Sequence, residues 1–409
     1  MASRAGTDVE PRTATWRRWV ILAIGVLSQS SASAFTYGVP FLIPALRDSL
    51  DLSLAQAGVY VAAPTIGLML TLIAWGAAAD RWGERIVMTS GLAVAVVGIA
   101  SLVLVTSRDA SAPEPMLLAL LALGGVGGAS VNAASGRMVM GWFPIGERGI
   151  AMGIRQTAQP LGVGIAGLTL PALAHHVGAF PAMALPGALC LLSAILVAAF
   201  APDPPRPVAK TDAGTRPESP YRGPMLWRVH AASALLVVPQ FAISAFTVEY
   251  LVRELHWSST AAGVFGGCMQ LAGAAGRIGS GWWSDRVRSR LRPMRQLAIA
   301  AMVVLLLFSL GDLVAPWLAV LALALGAIIS VADNGLGYTA TAEIAGPFWS
   351  GRALGTQNTG QNVFAALTSV VLGAVIGDVG YAIGFVLAAV APLIAIWITP
   401  VRDEAPPRW

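Results

Sequence analysis

Two arginines stand where arginine is costly. Arg155 lies eight residues beyond Glu147, and Arg277 lies eight residues before Asp285. Both are enclosed by apolar runs. At 1.5 Å of rise per helical residue, each guanidinium falls ~12 Å inside a hydrocarbon core of ~30 Å. Charge at that depth marks a functional candidate. Two planar forks at one level suit a carboxylate or another planar oxyanion, held by paired, charge-assisted hydrogen bonds. Other readings stay open: Arg277 can snorkel to the interface or pair locally, and Arg155 can form an ion pair, with Asp333 the nearest acid by depth. Arg137, beside Trp142-Phe143-Pro144, reads as interfacial.

Uncharged polar side chains extend the set. Gln29, Ser33 and Tyr37 recur every four residues, as do Arg155 and Gln159; Gln270 and Arg277 are seven apart; Asn334, Tyr338 and Thr341 share a face; and Gln357 with Gln361 runs beside Asn358 with Asn362. Serine and threonine satisfy themselves on their own helix backbone, so the amides carry more weight. The candidate substrate-binding residues are Arg155, Arg277, Gln29, Tyr37, Asn132, Gln159, Gln240, Gln270, Asn334, Tyr338, Asn358 and Gln361. Coupling to protons needs an acid, and Asp333, Glu249 and Glu343 are the candidates in that order.

The elements that position these residues follow from composition. Of 409 residues, 56% are hydrophobic and 11% charged, with a mean hydropathy of +0.70. Soluble domains carry about a quarter charged residues, so the chain is an integral membrane protein. Spans are expected at 19–46, 54–78, 85–106, 116–141, 148–173, 180–200, 226–252, 258–283, 294–313, 316–344, 351–375 and 380–400. The first run is too long for a cleaved export signal. Residues 1–16 form a tail, 17–200 a first six-helix bundle, 201–224 a Pro-rich linker holding the only lysine, Lys210, 225–400 a second bundle, and 401–409 a second tail. Twenty of the 26 basic residues fall in the tails, the linker and the loops of one side, three in the loops of the other, and three within spans. The positive-inside rule then puts both termini in the cytoplasm.

Other functions are excluded. Cys190 and Cys268 lie in apolar runs and the four histidines lack metal spacing, so no disulfide framework, metal or cofactor is expected. The net charge of +5 comes from loop arginines, which topology explains better than nucleic acid. No phosphate loop points to ATP, no nucleophile constellation to an enzyme, and no soluble domain to a receptor.

The halves repeat. Gln29-x3-Ser-Ala-Phe-Thr recurs from Gln240 at offset 211; Ala57-Gly58-Val59 recurs at Ala262, and Gly76-x3-Asp80-Arg81 as Gly281-x3-Asp285-Arg286, both at 205; Asn132 matches Asn334, and Thr157-x-Gln159 matches Thr359-x-Gln361, both at 202. Collinear matches argue for a duplicated six-helix unit. Helix packing accounts for Gly58, Gly263 and most glycines, but not for the repeated Gln, Asn and Thr. In the loop after the second span, Gly76 permits close helix approach, Gly83 a tight turn, and Asp80 can cap another helix's N-terminus.

This loop, Gly76-Ala-Ala-Ala-Asp80-Arg81-Trp82-Gly83-Glu84-Arg85, resembles the G-x3-D-R-x-G-R-R signature of the major facilitator superfamily, with Glu84 departing from its usual basic residue. The resemblance implies an all-α membrane protein of 12 transmembrane helices in two pseudo-symmetric six-helix bundles that rock about a central site. Asp80 and Arg81, with Gly76, Gly83 and Arg85, would form a cytoplasmic latch, and Asp285 and Arg286 its second copy. The arginine of the eighth span is similar to that of oxalate/formate-type exchangers. The expectation is a monomeric secondary transporter of the cytoplasmic (inner) membrane, carrying a small organic anion with protons or a counter-anion. The alternative is a proton-coupled drug efflux pump, although Gln159-Pro160-Leu161-Gly162 lacks the first glycine of the G-P-x-x-G motif of such pumps.

Overall fold

The computed structural model describes residues 15–52, 54–108, 112–204, 219–257 and 259–401. The expected tails and most of the linker, with Lys210, lie outside them. Span 1 is Thr15–Thr36, span 2 Leu54–Trp82, span 3 Glu84–Arg108, span 4 Glu114–Trp142, span 6 Ala184–Phe200, span 7 Pro224–Arg253, span 8 Ser259–Val287, span 9 Leu291–Val314, span 11 Ser350–Val379 and span 12 Tyr381–Ile398. Spans 5 and 10 are each broken in two, as Arg148–Arg155 with Ala158–Val177, and Pro316–Ala332 with Asn334–Ala345. Eleven of these units are long and apolar enough to cross a membrane. Span 8 matches them in length, but seven glycines and Arg277 lower its hydropathy.

Spans 1–6 and 7–12 make two bundles. Span 4 packs on spans 1, 2 and 3 in the first, and span 10 on spans 8 and 9 in the second. Large apolar side chains such as Leu70, Leu168, Leu271 and Trp397 stay exposed on the outer faces, the pattern of a protein whose solvent is hydrocarbon. The bundles meet along two equivalent seams, span 2 against span 11 and span 5 against span 8. Backbones nearly touch there: a Cβ on Gly76 would lie 2.3 Å from the Gly351 carbonyl oxygen, and one on Gly149 2.3 Å from that of Gly281.

Four features depart from the expected spans, each at an interruption of the backbone ladder; one is span 6, where a separate short helix, Ala179–Ala182, precedes Ala184–Phe200. Span 1 stops at Thr36 rather than running to residue 46, because Pro40 and Pro44 cannot donate N–H groups; a 3-10 turn at Val39–Leu42 and a short helix at Ile43–Leu50 follow. Span 5 breaks after Arg155, one turn before Pro160. Span 10 breaks at Asp333, where the Ser280 hydroxyl of span 8 donates to the Ala332 carbonyl at 2.5 Å. Gly58 also departs from the expected packing role: among the described residues nothing approaches within 4 Å of a Cβ placed there.

The seams give a direct test. Gly76→Val forces two backbones apart and costs about 1–3 kcal/mol, read as a lower thermal midpoint of the purified protein. Gly58→Val, in open space, changes stability by less than about 0.5 kcal/mol.

Candidate functional site

A cavity with about 670 Å³ of empty space lies between the bundles. Eleven of the twelve expected residues line it: Arg155, Gln29, Tyr37, Asn132 and Gln159 from the first bundle, and Arg277, Gln240, Asn334, Tyr338, Asn358 and Gln361 from the second. Gln156, Asn362 and Phe241 also line it and were missing from the candidate set. Asn362 was legible from its spacing to Asn358. Gln156 was not, because its exposure depends on the break in span 5.

The two halves offer the same amide pair. Gln29 donates to Asn132 at 2.5 Å, and Asn334 donates to Gln240 at 3.0 Å. These are the repeat-related residues of spans 1 and 4 and of spans 7 and 10. Arg155 locks the first pair: its Nη2 donates to Gln29 Oε1 at 3.2 Å and to the Asn132 carbonyl, its Nε donates to Ser135 at 3.1 Å, and its Nη1 donates to the Gln156 side chain. The guanidinium also stacks over Tyr338, 5.5 Å from the ring centroid. The Tyr338 hydroxyl lies in turn within hydrogen-bond reach of Asn358 and, at 2.7 Å, of Gln361, and its one proton goes to either.

Arg277 is used differently. Its Nη1 donates to the Gln156 carbonyl at 2.7 Å, across the seam. Its Nε is buried and, among the described residues, has no hydrogen-bond partner. Asp333 is buried at the break of span 10 and interacts electrostatically with Arg277. It therefore serves the span 8 arginine, not Arg155 as depth alone suggested, and Arg277 does not snorkel outward.

Four expectations are corrected in place. Gln270 lines a separate space inside the second bundle, with Ser244, Thr247 and Ser330; seven residues keep its azimuth relative to Arg277 but move it about 10 Å along the axis. Glu249 is exposed and paired with Arg253 at 2.8 Å. Glu343 meets Arg290 at 3.3 Å at the arginine-rich face. Arg137 is not interfacial: its side chain is 6% exposed and pairs with Asp80 at 2.9 Å and Glu84 at 2.6 Å.

That face carries two matched closures. Asp80 accepts the backbone N–H groups of Gly351 at 2.9 Å and Arg352 at 3.1 Å, at the start of span 11. Asp285 accepts those of Gly149 and Ile150, each at 3.0 Å, at the start of span 5. Each carboxylate thus caps the positive end of a helix in the other bundle. Their cations differ: Arg137 serves Asp80, while Arg290 binds Asp285 at 2.5 Å. Arg81 and Arg286, expected in these roles, are exposed and stack on Trp82 and Trp282. Gly83 has φ +96°, and the Asp203 carboxylate occupies the space a Cβ would need; Asp203 also accepts the Arg85 N–H at 2.8 Å.

Twin helical bundles around a buried, polar, inter-bundle cavity define a membrane transporter. The family model described as Major Facilitator Superfamily matches residues 25–369, and the chain belongs to that family. It is 40% identical over 95% of its length, and 86% of the relative's, to an uncharacterized MFS-type transporter, Rv2994, of Mycobacterium tuberculosis. It is 25% identical, over 94% of each chain, to a probable sulfoacetate transporter, SauU, of Cupriavidus necator. In fold it is similar to the fucose:proton symporter of E. coli, with a TM-score of 0.75 at 15% identity over 95% of this chain and 100% of that one.

Removing Arg137 takes the nearest cation from two buried carboxylates, Asp80 and Glu84, a loss of about 3–5 kcal/mol. Arg137→Ala is therefore strongly destabilised in thermal unfolding. Adding Glu84→Gln recovers part of the loss.

Proposed function

We propose that the protein is a secondary active transporter that moves a small, carboxylate-like organic anion by alternating access. One observation carries this reading: two guanidiniums reach the central cavity, and among the described residues no Asp or Glu lines it. A lipophilic cation, the cargo expected of a drug efflux pump, would meet two guanidiniums on the wall there, with the nearest carboxylate, Asp333, engaged by Arg277. The name carried by the Cupriavidus necator relative agrees with an anionic cargo. Amides from both bundles would bond the uncharged part of the substrate. The chain acts as a monomer in the inner membrane, with its arginine-rich face and both termini in the cytoplasm. Asp333, beside Arg277, is the proton-coupling candidate; exchange against a counter-anion is the other source of drive.

The latches set the resting state in this reading. Asp80 and Asp285 close the cytoplasmic face, and the substrate enters from outside. Asp80→Asn removes the carboxylate that caps span 11 and slows transport while expression and thermal stability stay near those of the parent. Unchanged uptake kinetics in proteoliposomes would remove the latch role.

Ligand class is read by thermal shift of the purified protein against sulfoacetate, oxalate, glucuronate, fucose and tetraphenylphosphonium. At a hundred times its dissociation constant, a bound ligand adds about 2.7 kcal/mol. At least one anion is expected to stabilise the protein, and neither fucose nor the cation. Stabilisation by tetraphenylphosphonium alone would favour efflux instead.

A further inference from the structure

The two arginines are not equivalent. A guanidinium has five N–H donors, and Arg155 commits four of them to Gln29, Asn132, Ser135 and Gln156. Arg277 commits one, from Nη1, and among the described residues no hydrogen bond occupies Nε or Nη2. Those two atoms form the edge that takes a carboxylate or sulfonate side-on. The repeat offsets of 202 and 205 put Gln357 at the position equivalent to Arg155 and Leu72 at that of Arg277. Each charge is therefore peculiar to one half.

What orients the uncommitted edge of Arg277 belongs to the other bundle. The Gln156 carbonyl is available to it because Pro160, four residues on, has no N–H to return to that carbonyl. The backbones press together at the same point: a Cβ on Gly153 would lie 2.5 Å from the Arg277 carbonyl oxygen. The bond from Arg277 to Gln156 is thus a strut across the span 5–span 8 seam, made only while the bundles meet there.

We propose that Pro160 is a positioning residue: by freeing the Gln156 carbonyl it fixes Arg277 from the opposite bundle, so that the anion's dock is assembled only while the arginine-rich face is closed. Affinity is then high in the closed state and falls as the seam parts, which releases the anion on that side. Linkage requires the converse, that the anion holds the seam shut. The dock rests on the anion reading above; the strut does not.

The test reads both separately. In a Cys190→Ala, Cys268→Ser background, Met140→Cys places a thiol on the cavity beside Arg137 and Arg148 at the arginine-rich face, where the maleimide labelling rate reports opening. Without ligand, Pro160→Ala and Arg277→Gln label about tenfold faster than the parent, the worth of one hydrogen bond. Sulfoacetate or oxalate slows labelling of the parent. Pro160→Ala weakens stabilisation by that anion about tenfold, Arg277→Gln abolishes it, and Pro171→Ala, a proline further along span 5, changes neither rate nor affinity. Arg155→Gln weakens binding. The strut is overturned if Pro160→Ala labels at the parent rate, or if Pro171→Ala labels as fast. The dock is overturned if Arg277→Gln keeps the parent's response to the anion. If no anion shifts the parent, the anion reading fails and the dock with it, while the ligand-free rates still decide the strut.

Discussion

Two carboxylates govern the state in which this molecule is seen. Asp80 and Asp285 each leave their own bundle and bind the first N–H groups of a helix in the other. A helix start has orphan donors and a positive dipole end, and burial away from water strengthens both attractions. The glycine contacts beside each carboxylate follow, since the caps reach only when the backbones nearly touch. With that face shut, the cavity has a floor, and Arg155 and Arg277 lie above it.

The two closures are alike in geometry but not in chemistry. Span 4 supplies the cation for Asp80, and the loop after span 8 supplies that for Asp285. Duplication thus preserved the caps while each half recruited its own counter-ion. The same divergence separates Arg155, which is spent on its neighbours, from Arg277, which is not.

Much of the cavity was legible because amides and guanidiniums are rare within apolar runs, so almost any that occur there face a shared interior. The cap acids were legible from Asp80 and its repeat. The partners were less so. Arg137 stood near Trp142 and read as interfacial, since a linear pattern does not show that span 4 turns that arginine inward onto Asp80. Gln270 misled in the opposite way, because heptad spacing preserves direction and ignores depth. The break in span 10 falls beside the turn-prone pair Asn334-Gly335, which a long apolar run masked, and its compensation comes from Ser280, distant in sequence.

The repeated amide pairs carry one more consequence. A guanidinium can only donate, so Arg155 obliges Gln29 to present its oxygen inward and its NH2 group to Asn132. That pair has a single polarity, a stencil with one orientation. Among the described residues no charged donor imposes the same on Gln240 and Asn334. Half a turn of both amides exchanges oxygen for nitrogen and leaves their mutual bond intact. One wall of the cavity therefore dictates where a ligand's donors go, while the facing wall swivels to meet what it is offered.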